Sequence, residues 1–105
     1  MAISLYKFSA IMPKEEMYGL TSQIKRAATS IPLNIAEGYG KRDSTNLEVK
    51  RFLNMAKGSC SELEVLLDMC KDLDFMNEDA HKKYIAELDE IGAMLYGLMK
   101  SLNKN

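Results

Sequence analysis

The stretch from Val49 to Cys70 constrains this chain more than any other. Val49, Phe52, Leu53, Ala56, Cys60, Leu63, Leu67 and Cys70 recur three and four residues apart. That spacing places them on one face of an α-helix for about six turns. Such a face runs roughly 30 Å and must be covered by elements of comparable length. No segment alternates with the two-residue period of a strand, and two prolines and six glycines leave little punctuation. The chain therefore reads as all-α.

Three further helices follow from the same reasoning. A short leading helix spans Ile3 to Met12 and stops before Pro13. The next begins near Pro13, which suits a first helical turn, with Glu15 and Glu16 placed to complement the helix dipole. Its apolar face is Leu20, Ile24, Ala27 or Ala28, Ile31 and Ile35. The phase survives across Pro32, so one kinked helix is expected, ended by Gly38 and Gly40. The Val49–Cys70 helix starts in Asp43-Ser44-Thr45, with Thr45 and Glu48 fitting a capping box. It breaks at Asp74 to Asn77. Asn77 caps the last helix, where Tyr84, Leu88, Ile91, Leu95, Leu98 and Leu102 make a heptad seam that Ile85, Gly92 and Met99 widen toward a bundle face.

Long helices with short connections favour antiparallel neighbours. The expectation is an up-down antiparallel helix bundle in one domain, 1–105, with three long helices and a shortened first helix. The stub cannot match a partner of roughly 40 Å, so one groove is under-filled and another chain could cover it. With 47% hydrophobic residues the chain can build a core. No signal peptide or membrane span is read, and a cytoplasmic location is expected, consistent with two free thiols.

Few residues invite site chemistry. Cys60 and Cys70 lie about 15 Å apart on one helix, too far for a disulfide, and both sit in the apolar stripe. His81, the single histidine, has no second ligand nearby and reads as a surface residue. Met55, Leu66 and Met69, with Glu62, mark a second face of the central helix. That face serves either ordinary burial or another subunit. No catalytic residue, metal site or cofactor is expected.

A polar stripe is the most unusual local feature. Gln23, Arg26, Ser30, Asn34 and Glu37 align on one side of their helix. Periodicity alone favours a solvated flank. The sharper reading is a half-buried hydrogen-bonded network with a charge balance of the Arg26–Glu37 type.

Formal net charge is -1, which excludes a globally basic protein but hides an asymmetry. Residues 1–58 hold nine basic and five acidic residues, and residues 59–105 hold five and ten. Lys25, Lys41, Arg42, Lys50, Arg51 and Lys57 are the nucleic-acid-binding candidates. The turn from Gly38 to Asp43 could hold a phosphate with backbone N–H groups and two cations, but a plain helix–helix turn is the favoured reading of the residues.

The run from Gly19 to Ala28, then Ser30-Ile31-Pro32-Leu33-Asn34-Ile35-Ala36-Glu37-Gly38, resembles a signature of the bacterial four-helix-bundle family known as 23S rRNA intervening-sequence proteins. Arg51-Phe52-Leu53, Ala56-Lys57-Gly58-Ser59 and Glu62-Leu63-Glu64 resemble a second. Together they cover roughly residues 12 to 75. The resemblance implies an up-down four-helix bundle assembled as a ring-like homopentamer. It also implies kinship with accessory proteins of diversity-generating retroelements, which contact nucleic acid and a reverse transcriptase through a basic surface. It adds Ser59 and Glu62 to the polar network. The leading helix is shorter than the family pattern.

The functional expectation is a non-enzymatic, oligomeric protein associated with RNA or DNA through a basic patch. The alternative is a protein-interaction adaptor that works without nucleic acid.

Overall fold

The structure, a computed structural model, describes residues 14–40 and 43–103, with side chains from Gly19 onward. Three helices account for nearly all of it: α1 (Lys14–Gly40), α2 (Asn46–Asp72) and α3 (Glu78–Leu102). No strand occurs among the described residues. The expected leading helix over 3–12, and Lys41 and Arg42, lie outside them.

α1 buries Ile24, Ala27, Ala28 and Ile31, with Leu20 and Ile35 packed against that core. The helix runs unbroken through Pro32, whose ring points to an exposed surface. There the missing N–H costs one intrahelical bond, to the carbonyl of Ala28. Gly38 departs from the sequence expectation. It is buried inside the helix, where an added Cβ would come within 3.1 Å of Phe52 Cβ. It marks a close approach of α1 to α2 rather than a helix end, and the chain stays helical to Gly40.

The ends of α2 and α3 are capped by side chains. The Thr45 hydroxyl accepts from Glu48 N–H at 3.1 Å, and Asn77 Oδ1 accepts from Ala80 N–H at 2.8 Å. At the C-terminus of α2, Phe75 N–H donates to the Cys70 carbonyl and Asp74 N–H to that of Lys71. This pair of bonds is the Schellman pattern, which asks for a left-handed residue at its centre. Asp74 supplies it with φ 62. The usual glycine is absent, so the stop is legible only as a loss of periodicity.

α2 lies between the other two helices: among the described residues, α1 and α3 each pack on it and not on each other. Both pairings are antiparallel. Arg26 meets Glu62 and Gly38 meets Phe52, while Asp68 meets His81 and Asn46 meets Leu102. This placement explains why the apolar face of α2 is so broad. Val49, Leu53, Ala56, Leu63, Leu66 and Leu67 are all buried, and α3 adds Tyr84, Leu88 and Leu95. Met76, buried in the α2–α3 turn, closes one end.

Two expectations need correction. The seam of α3 departs from the heptad at Leu98, which is exposed, while Met99 on the widened face packs on the core as expected. A straight helix with 3.6 residues per turn drifts out of a seven-residue repeat, so the buried series steps from Leu95 to Met99. The second face of α2 also divides. Leu66 is buried within the chain, whereas Met55 and Met69 are 52% and 45% exposed.

Candidate functional site

Two rows of polar side chains line α2, one on each flank. The row facing α1 is a hydrogen-bonded seam. Ser30 Oγ and Ser59 Oγ lie 2.8 Å apart across the interface. Asn34 Nδ2 donates to both the carbonyl and the hydroxyl of Ser30, each at 2.9 Å. Ser59 Oγ donates to the Met55 carbonyl at 3.2 Å. Arg26 closes the row with an ion pair to Glu62.

The seam contains Arg26, Ser30, Asn34, Ser59 and Glu62. Gln23 and Glu37 are exposed and make none of these bonds. The Arg26–Glu37 balance expected from the sequence is therefore replaced by Arg26–Glu62. Arg26 and Glu37 are eleven residues apart on one helix, three turns or roughly 16 Å along the axis. The facing helix offers a carboxylate at the level of Arg26, and a salt bridge needs contact rather than alignment.

The other flank of α2, facing α3, carries the cations. Lys50 Nζ donates to Asn103 Oδ1. Lys57 Nζ stands 5.2 Å from the centroid of the Tyr96 ring, a cation–π geometry. Farther along, His81 Nε2 meets Asp68 Oδ1 at 2.7 Å. Lys50 and Lys57 thus share one seam, two turns apart. Arg51 is exposed on a different side of α2. Lys25 is on α1 near the level of Leu63, roughly 20 Å along the axis from Lys50. Of the four basic candidates among the described residues, Lys50 and Lys57 share one seam, while Lys25 and Arg51 lie away from it. Tyr96, which the sequence reading passed over, is the aromatic at the centre of the cationic seam. Helical spacing on either helix alone could not have revealed it.

Charge along the α2–α3 pair is polarised. Residues 46–61 and 91–103 hold Lys50, Arg51, Lys57 and Lys100 against the single acid Glu48. Glu48 lies beside Thr45 at the cap. Residues 62–90, at the turn end, hold ten acids against three bases. The asymmetry between chain halves becomes a gradient along one helix pair.

Other groups offer little chemistry. Burial pushes the Cys70 thiol up to about 11. Burial, with Glu64 nearby, also raises that of Cys60. Both stay protonated at neutral pH, as inert core thiols do. Gly38 and Gly40, the glycines of the turn for which a phosphate nest is the less favoured reading, belong to α1. An open depression of about 330 Å³ beside them is lined by Leu33, Ala36, Glu37 and Gly40. Among the described residues no three His, Cys, Asp or Glu side chains could hold a metal ion. None of the described helices is long and apolar enough to cross a membrane.

These observations define a class: a protein of long antiparallel helices whose polar chemistry lies between helices and on a cationic surface, rather than in a reactive cluster. The family's sequence profile matches residues 1–97, and the chain belongs to the 23S rRNA-intervening sequence protein family. A solved structure from Bacteroides thetaiotaomicron VPI-5482, described as a protein of unknown function from the S23 ribosomal protein family, superposes with a TM-score of 0.81. It is 23% identical, with 94% of this chain and 88% of that chain covered. No curated protein matches the sequence.

Proposed function

We propose that this chain is a non-catalytic, oligomeric protein that associates with RNA or DNA through phosphate contacts at its basic end. The supporting observation is the charge gradient. The half of the α2–α3 pair that carries Lys50 and Lys57 has one acidic residue, while the turn half has ten. Lys41 and Arg42 precede the start of α2 in sequence and add two further basic residues. Neutralised phosphates release counterions, so such binding weakens steeply with salt.

The proposal includes an up-down antiparallel bundle of three long helices and a shortened first helix over residues 3–12. It also includes assembly as the homopentamer that the resemblance implies, in the cytoplasm. Leu47, Met55, Val65 and Met69 on the outer side of α2 are exposed and supply apolar surface for another copy. The same surface favours a second reading, a protein-interaction adaptor.

A gel-shift titration against a structured rRNA fragment and single-stranded DNA at low salt tests the first reading. Binding at micromolar protein is expected, and its absence rejects nucleic-acid association. Reversing Lys41, Arg42, Lys50 and Lys57 to Glu should weaken binding and flatten the salt slope by about three. A monomer by light scattering would reject the assembly. A defined protein complex that survives nuclease treatment, with no gel shift, would select the adaptor.

A further inference from the structure

We infer that the α2–α3 seam is a single-strand binding groove in which Tyr96 stacks an unpaired base while Lys50 and Lys57 contact the flanking phosphates. This deepens the nucleic-acid reading above and rests on it.

Tyr96 is 57% exposed although it sits on the flank of α3 that faces α2. Its ring stands at the surface with Lys57 Nζ 5.2 Å from its centroid. Lys50 is held two turns along the same seam by Asn103. An exposed aromatic between cations is the arrangement that binds single strands. The ring takes any base face, and the ammonium groups follow the backbone.

A duplex fits this surface poorly. Its bases already stack on each other, so an exposed ring on a helix flank gains nothing from them. The lysines are also drawn to the seam by Asn103 and Tyr96, rather than projecting to straddle a groove. Specificity for a base is not expected, because stacking reads a π-face and not an edge. The local charge favours an anionic ligand: residues 91–103 contain no acid, and Lys100 follows Tyr96 by about one turn.

The test is fluorescence anisotropy with labelled dT12, rU12 and a 12-base-pair DNA duplex at low salt. Wild-type protein should bind dT12 or rU12 more tightly than the duplex, and the two single strands tell DNA from RNA. Tyr96→Leu should weaken single-strand binding about tenfold and leave duplex binding unchanged. Tyr96→Phe should retain wild-type affinity, since the ring and not the hydroxyl carries the stack. Circular dichroism of both variants checks that the helices persist. The inference is overturned if Tyr96→Leu binds single strands as wild type does, or loses duplex binding equally. If charge reversal at Lys50 and Lys57 still weakens binding in that case, the phosphate reading survives without the stack. Absence of wild-type binding to all three probes removes both.

Discussion

Ser30 and Ser59 form a directed link between α1 and α2. The Ser59 hydroxyl spends its proton on the Met55 carbonyl at 3.2 Å, so across the 2.8 Å gap it must accept from Ser30. Ser30 in turn accepts from Asn34 at 2.9 Å. The chain Asn34→Ser30→Ser59→Met55 has no conflict of donors, and a satisfied network of this kind ties two helices to one register.

Removing one serine should therefore cost more than a surface hydroxyl does. Ser59→Ala is expected to destabilise by about 1 to 2 kcal/mol, because it takes the acceptor from the Ser30 hydroxyl, and Ser30→Ala by about 1 kcal/mol, because Ser59 and Asn34 keep their bonds to the Met55 and Ser30 carbonyls. The double variant should cost less than the two singles together. Urea denaturation in a double-mutant cycle measures the coupling. Additive losses would show that the two hydroxyls act separately.

The ion pair at the end of the seam contributes little by comparison. Arg26 and Glu62 side chains are 63% and 37% exposed. Glu62→Gln should cost under about 1 kcal/mol, and less in high salt. Glu37→Ala should lie within about 0.5 kcal/mol of wild type, as an exposed residue outside the network. A loss at Glu37 as large as at Ser30 would place it in the seam after all.

Glycine positions separate packing from propensity. Gly38→Ala puts a Cβ 3.1 Å from Phe52 Cβ, an atom fixed to the α2 backbone, so the helices must part. It should destabilise by about 1 kcal/mol despite the better helix propensity of alanine. Gly97→Ala meets nothing within 4 Å and should stabilise by up to about 1 kcal/mol. Asp74→Gly relieves φ 62 and should stabilise by about 0.5 to 1 kcal/mol. Thermal or urea unfolding of the three variants checks the order.

Alkaline stability should depend on Cys70. Its thiol is pushed up to about 11 from 9.0 by burial. Between these values the unfolded chain has released the proton and the folded chain has not. Stability therefore falls as pH rises through this window, by about 2 to 3 kcal/mol at its upper end. Cys70→Ala should flatten that limb of the pH profile while lowering stability at neutral pH. An unchanged limb would assign it to other groups.

Much of the fold was readable from local rules. Thr45 and Asn77 cap helices because their side chains reach N–H groups three residues on. The buried series of α1 and α2 follow from helical period, and Arg26, Ser30 and Asn34 are aligned by it. Those are interactions within one helix, and the order of residues sets them. The period fixes an angle around an axis. It does not say which helix stands beside that angle or at what height. The partner of Arg26, the approach at Gly38, the exposure of Leu98 and the meeting of Lys57 with Tyr96 all depend on axial register, where a slip of one turn, about 5.4 Å, would exchange every pair. Only the packed arrangement of α1 and α3 on α2 chooses that register. It does so because the apolar faces and the serine seam are satisfied together in one alignment.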